Sequence, residues 1–555
     1  MAIPAPVAAI PDDPPPRPQA ELFETLARID GWGPRAWREV LGAWRLPLAE
    51  LGLEDGEGEP CDEGGEVRAT LRIGGRWTRL RAAAERDAAA DWLLRHARAT
   101  LLPRLALRAR TVDPGEAVTA SNACWGDGQA LWLRFALRLP FAGMCVDGEA
   151  FARALGMLGR WLRALDASRP GLAAHRRSVR LQRALRAALP GHGLVAFLAD
   201  GSRLARDPAG GPETGCLPLR APRNLATRID LGPLGRHRGL GIRAGVTAIA
   251  GAPYHGKTTL LAAIAGGGTD RPPGDGRERV VALETTQPVL SDDGRPIVAQ
   301  DLTTFFRRLP GGEARCFTTR RASGATSMAA AVLQGVAAGA RLLLIDEDTA
   351  AANFLSCQPA MRRLLGRDLD GATTLAEALP ALARAGVSSV VVAGASTAAI
   401  ASADRTILMR AFRPADATAA ARRACGPRPA PLALRLPARR LGGDPDALLG
   451  HGHVLSVAAD DPERPRFAGR TVDLRRAGFD LDPALARGAA LGAAWACRLA
   501  AGGCALDELG RRYAAWLAEH GPCAPDPFHD GFHAVAPWPL VVAVLERTAA
   551  LDLAC

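Results

Sequence analysis

The fold class this sequence predicts is α/β: a core of strands alternating with helices, an N-terminal α+β domain rich in arginine, and a small, mainly helical C-terminal module. Three observations predict it. From Gly241 onward, apolar runs of strand length alternate with helical stretches, the pattern of a sheet covered by helices. Before that point, alternating apolar residues (Val67, Ala69, Leu71, Ile73) mix with longer helical segments. Beyond a Pro- and Arg-rich stretch over 422–440, two further segments carry helical spacing. The expected divisions are a disordered tail over 1–20, the arginine-rich domain over 21–225, the core over 226–425 and the C-terminal module over 426–555.

The bulk numbers agree. A chain of 555 residues is too long for one compact core, and 48% apolar residues supply several. No stretch approaches 18 uninterrupted apolar residues, and the 541–545 neighbourhood is far too short to span a bilayer, so no membrane role is expected. Residues 1–17 are rich in Pro and Ala without a basic start, which reads as a tail and not a signal peptide. Eleven cysteines are scattered with no C-x-x-C pair, so the expected compartment is the reducing cytoplasm. The pairs His451/His453 and His529/His533 lack carboxylate or Cys neighbours at ligand spacing and read as loop histidines.

In chain order, 21–50 carries helical spacing at Leu22, Leu26, Ile29, then Trp37, Val40 and Leu41, and 52–65 reads as an acidic, glycine-rich loop. Residues 67–110 hold eleven arginines, first on a strand and then on a helix expected over 82–99. The run 131–139 alternates as a strand. Residues 151–189 read as helical throughout, with nine arginines and one acid, Asp166; Arg176, Arg180 and Arg183 share one helix face. A buried strand is expected over 194–199 and a loop over 207–222. The core strands are expected over 245–250, 280–283, 341–345, 389–393 and 406–409. Its helices are expected over 257–265, 327–338 and 375–385, and those of the C-terminal module over 483–498 and 506–519.

The chemistry is concentrated in three motifs. Gly251-Ala252-Pro253-Tyr254-His255-Gly256-Lys257-Thr258 fits G-x-x-x-x-G-K-[ST] between an apolar strand and a helix, the context in which main-chain N–H groups cradle phosphates. Lys257 is the only lysine in a chain that otherwise uses arginine, as expected where a compact ammonium must reach phosphates. Thr258 would ligate Mg²⁺, and Thr259 extends the nucleotide-binding run. The second motif, 342–347, is an apolar strand ending in Asp346, a metal-holding carboxylate, and Glu347, which would polarise the attacking water. The third, Ala322-Ser323-Gly324-Ala325-Thr326, precedes a helix. By itself it reads as an N-capped helix, with Ser323 or Thr326 as the cap.

Taken together, these segments resemble the predicted ATPases of the ABC class found widely in bacteria, stand-alone ATPases without transport domains. The resemblance rests on Tyr254-His255-Gly256-Lys257-Thr258, on Pro273 to Glu278, and on Asp293-Gly294-Arg295. It also rests on Ala322-Ser323-Gly324, on Ile345 to Thr349 with Asn353-Phe354, and on Leu194 to Gly201. It implies a P-loop ABC-type core and a head-to-tail homodimer that buries two ATP–Mg²⁺. Each nucleotide would lie between the phosphate loop of one subunit and Ser323–Gly324 of the other, with Asn353 on a loop crossing the interface. Transport-type relatives carry a switch histidine after the strand equivalent to 389–393; here stands Gly394-Ala395-Ser396-Thr397, with Ser396 as the polar substitute. Gln300 lies in the window of the metal-contacting glutamine, against the alternative of a surface glutamine. The 273–277 run also fits a simple tight turn.

The expected function is ATP binding with slow hydrolysis in a dimer that opens and closes; the alternative is a non-catalytic ATP-dependent switch controlling a protein partner. A net charge of +11 permits a polyanionic partner. The arginines of 67–110 and 151–189 read either as a surface for RNA or DNA phosphates or as solvated basic helices.

Overall fold

The computed structural model describes residues 15–55, 65–75, 80, 82–165, 169–208, 210–309, 313–365, 372–430, 432–442, 461–500, 503–526, 532–548 and 552–554. His451, His453, His529 and residues 1–14 of the expected tail lie outside them. Contacts divide the chain into two compact units, residues 1–180 with 516–535, and residues 181–515 with 536–555.

The first unit is built on a sheet in the order Arg17–Pro18, Gly42–Arg45, Glu50–Asp55, Glu66–Ile73, Leu131–Arg138, Ala109–Arg110, with Cys124–Gly126 also on Leu131–Arg138. Val67, Ala69, Leu71 and Ile73 all point into the core, as a period of two requires. The tail ends earlier than expected: Arg17–Pro18 pairs with Trp44–Arg45, and a helix begins at Gln19. That helix stops at Ile29, and Pro34 opens a 3-10 helix, so the helical spacing expected over 21–50 covers two short helices followed by a strand. The acidic run expected as a loop contains the strand Glu50–Asp55; Leu51 and Leu53 supply its buried face, and 56–64 lie outside the described residues. The expected single helix over 151–189 is likewise two, Gly148–Ala164 and Arg169–Ala188. Pro170 sits in the first turn of the second, where its missing N–H costs nothing, whereas inside one long helix it would break the ladder.

Several arginines of this unit are already paired with acids. Arg72 meets Glu50 at 3.0 Å, Arg98 meets Asp113 at 2.9 Å, Arg110 meets Glu66 at 2.5 Å and Arg176 meets Glu85 at 2.8 Å. Asp91, almost fully buried, takes Arg95 at 2.7 Å and His175 at 2.9 Å. His533, expected in a loop, is buried and lies 2.8 Å from the Pro522 carbonyl.

The second unit carries a six-stranded sheet in the order Thr286–Val289, Leu342–Asp346, Ser388–Ala393, Val246–Ala250, Arg405–Arg410, Arg413–Asp416. The first five run parallel and the last closes an antiparallel hairpin. Near-continuous apolar runs such as Leu342-Leu343-Leu344-Ile345 suit strands buried on both faces. An antiparallel sheet, Ala226–Asp230, Arg236–Arg243, Leu194–Ala199, Val280–Ala282, belongs to the same unit. The helices Lys257–Ala265, Gly324–Ala337 and Leu375–Arg384 lie close to expectation. The C-terminal residues add Pro483–Leu499, Leu506–His520 and a third helix, Trp538–Arg547, which sequence reading weighed only as a membrane segment. Among the described residues no helix is long and apolar enough to cross a membrane.

The 273–277 run is a turn with Gly274 and Gly276 in the left-handed region, and Arg206 holds Asp275 with two bonds of 2.6 and 2.7 Å. Arg183 and Arg186 are likewise spent, on Asp270 at 2.7 and 3.0 Å.

Helix Leu375–Arg384 starts with a capping box, in which Glu377 accepts from the Thr374 N–H at 2.9 Å and its hydroxyl at 2.8 Å. Thr374→Ala is expected to cost about 1 kcal/mol. Urea unfolding should show a lower midpoint at unchanged slope.

Candidate nucleotide site

Sheet register assembles the site. Ala250 pairs with Ala393 and Leu408, and Asp346 pairs with Val392, so the loops after these strands emerge at one edge of the sheet. That edge, where parallel strands end, is where α/β proteins bind ligands.

The phosphate loop leaves Ala250 through Gly251, which admits no side chain: its φ is 147°, and an added Cβ would stand 2.6 Å from the Met409 carbonyl oxygen. Gly256, at φ 89°, opens the helix Lys257–Ala265. Ala252, Pro253 and Tyr254 are exposed, Tyr254 almost completely, and Tyr254 holds a left-handed φ of 62°. Strain of this kind persists only where surrounding structure enforces it. His255 braces the loop from beneath, its Nδ1 3.3 Å from the Met409 carbonyl and 3.4 Å from the Ala411 N–H. Lys257 curls over the loop, its Nζ donating to the Ala252 carbonyl at 3.0 Å. Thr259 is half-buried in the first helical turn.

The deciding contact is between elements far apart in sequence. The Thr258 hydroxyl donates to Asp346 Oδ2 at 2.8 Å. Asp346 is buried at the end of its strand, and its Oδ1 accepts from the Asp348 N–H at 3.1 Å. A hydroxyl and a carboxylate brought together this way form an all-oxygen donor set, which fits a hard divalent cation. Glu347 Oε2 accepts three main-chain N–H groups, from Gly394 at 2.6 Å, Ala395 at 2.9 Å and Ser396 at 3.3 Å. These residues include Ser396, expected from the sequence as the polar substitute for a switch histidine. The Ser396 hydroxyl does not reach outward; it is buried and caps the helix Thr397–Ala401 by accepting from the Ala399 N–H.

Ser323 caps the helix Gly324–Ala337, accepting from the Thr326 N–H at 3.3 Å, and stays exposed. A Cβ on Gly324 would stand 2.6 Å from the Ser291 hydroxyl, so a side chain there would have to displace that hydroxyl. Asn353 is exposed on the short helix Ala352–Leu355. Gln300 is 2% exposed, its amide donates to the Asp301 carbonyl at 3.4 Å, and its Oε1 has no hydrogen-bond partner among the described residues, so it is not a surface glutamine. The loop that leaves the strand beside Leu342–Asp346 is instead 290–296, where the Ser291 N–H donates to the Thr349 carbonyl at 2.9 Å.

Sequence reading missed Phe412. It lies on the hairpin turn between Arg405–Arg410 and Arg413–Asp416 with a left-handed φ of 63°, 58% exposed, its ring 3.1 Å from where a Gly256 Cβ would stand. Its pairing with the phosphate loop depends on the strand order, which the sequence does not display.

Comparisons with known proteins agree with this geometry. The ABC_ATPase P-loop domain family matches residues 169–431. That stretch, just under half of the chain, is similar to an ABC-class ATPase P-loop domain. The match starts within the helix Arg169–Ala188, well before the expected core boundary at 226. The chain is also 32% identical over 210 residues to the uncharacterized protein MJ1628 of Methanocaldococcus jannaschii, covering 35% of this chain and 45% of that relative. The chain thus spans under half the length of that relative. Solved structures similar to part of the chain include a putative metal-chelate type ABC transporter in an inward-facing conformation. It is 12% identical over 40% of this chain and 82% of that one, with a TM-score of 0.25. Another is the ATP-binding cassette MJ1267 of an ABC transporter in its ADP conformation, 11% identical over 35% and 87%, with a TM-score of 0.23.

Proposed function

We propose that the ABC-class domain binds ATP at Gly251–Thr258 and hydrolyses it slowly as a head-to-tail homodimer. The observation that carries this reading is the Thr258–Asp346 contact, which joins phosphate-loop hydroxyl and strand-end carboxylate beside Glu347. The main chain of the phosphate loop and the start of helix Lys257–Ala265 would hold the phosphates, and Lys257 would leave Ala252 to pair with them. Thr258 and Asp346 would hold Mg²⁺, which when bound neutralises phosphate charge. Glu347 would orient and deprotonate the attacking water after exchanging its three N–H partners for it. Ser323–Gly324 and Asn353 of a second copy would complete the site, and Ser396 would act through its main-chain N–H.

Phe412 fits the adenine. An exposed ring held rigidly over Gly256 offers a stacking face, worth about 1–3 kcal/mol per base. Phe412→Ala is therefore expected to weaken ATP about tenfold while leaving pyrophosphate binding unchanged. Titration calorimetry with both ligands reads the difference.

A second reading, a non-catalytic ATP-dependent switch acting on a protein partner, is favoured by the same Glu347 bonds, since they hold the candidate base on main-chain donors. Phosphate release by the native protein, measured against Glu347→Gln, separates the two: turnover above that background supports the ATPase. Action on RNA or DNA draws less support, because Arg176 and Arg183 of the expected basic face are bound to Glu85 and Asp270, which leaves Arg177 and Arg180 exposed.

A further inference from the structure

The second unit holds a cavity of about 1150 Å³ outside the nucleotide site. Its walls come from three stretches: the loop 290–296, the turn 348–350 after Glu347, and C-terminal residues 470–476 with Arg547 and Thr548. Two of its arginines are buried. Arg295 is 5% exposed and the Arg547 side chain 8%. Each has an Nε that finds no hydrogen-bond partner.

Charge at this wall does not balance. Arg547 is paired with Asp292 at 3.1 Å, and the neighbouring Arg439 with Glu546 at 2.9 Å. Among the described residues Arg295 has only neutral acceptors, Gln334 Oε1 at 2.8 Å and the Ser327 and Pro296 carbonyls at 3.1 and 3.5 Å. Three buried guanidinium groups therefore face two carboxylates. Burial and then the nearby Arg547 push the Arg295 guanidinium down to about 9, which reports the same uncompensated charge. A buried cation without a counter-charge is costly, and an anion placed against it offsets that cost. At the rim Arg470 and Arg476 are exposed, while Arg475 is taken up by Asp473 at 2.5 Å. The exposed Asp293 and Asp348 carry no side-chain partner among the described residues and stand as acceptors.

We propose that this cavity binds a small phosphate monoester bearing hydroxyl groups, with the phosphate on the Arg295–Arg547 wall and the hydroxyls donating to Asp293 and Asp348. Guanidinium pairs match phosphate oxygens in bidentate geometry, and the volume suits a sugar-phosphate or nucleotide-sized molecule. Because the walls include the turn that follows Glu347, an occupant would stiffen the edge of the nucleotide site.

The test uses full-length Lys257→Ala protein, which disables the phosphate loop, and ribose 5-phosphate as the probe, with inorganic phosphate alongside. Saturable binding by calorimetry is expected, at least tenfold weaker in Arg547→Gln. The rim double variant Arg470→Gln/Arg476→Gln, whose exposed positions spare the fold, should also bind at least tenfold more weakly. Asp348→Asn should weaken ribose 5-phosphate several-fold and leave inorganic phosphate alone. No saturable binding in the Lys257→Ala background, or equal binding by the rim variant, overturns the site. A null result there leaves the ATP reading untouched, since the background already lacks that contact.

Discussion

Lys257→Ala should weaken ATP binding by more than about 100-fold, because a charge-assisted contact is worth about 1.5–3 kcal/mol and Lys257 would make one to each of two phosphates. The ammonium is the only one in the chain, and it sits at the mouth of the loop with its Nζ 3.0 Å from the Ala252 carbonyl. Lys257→Arg is expected to restore little of the affinity. A planar guanidinium on a chain of that length cannot enter a loop whose backbone approaches within one hydrogen bond of the charge. Equilibrium titration with ATP and Mg²⁺ measures both variants; affinity within about threefold of the native value in Lys257→Ala would contradict the assignment.

Glu347→Gln should lower the rate of phosphate release by about 10²–10⁴-fold, the usual worth of a positioned general base, with ATP affinity retained. The amide keeps an acceptor oxygen for the N–H groups of Gly394, Ala395 and Ser396, so the loop should hold its shape while proton abstraction is lost. Single-turnover kinetics distinguishes this from a binding defect. An unchanged rate would mean that another group activates water, or that the native protein does not turn over.

Much of the site was legible in the sequence because its parts are local. A glycine-rich turn between strand and helix, and an apolar strand ending in two acids, each announce themselves within ten residues. What the sequence did not display depends on long-range placement. Phe412 became visible only once Arg405–Arg410 paired beside Val246–Ala250, and spacing from Lys257 cannot reveal that Gln300 is buried or that 290–296 leaves the strand beside Asp346. The fold errors share a cause. Short strands such as Glu50–Asp55 hide in acidic sequence since only alternate residues need be apolar, and the proline that splits 151–189 was outvoted by helical spacing on both sides. Part of the basic character of the N-terminal region is spent on acids of the same chain, as the pairs of Arg72, Arg98, Arg110 and Arg176 demonstrate.

The central claim is that one chain holds only half of each nucleotide site and a second copy closes it. The molar mass of Glu347→Gln protein, measured by light scattering across a gel-filtration peak with and without saturating ATP and Mg²⁺, tests this most directly. Two chains per particle with ATP and one without is the predicted result. A single chain at saturating ATP would contradict it.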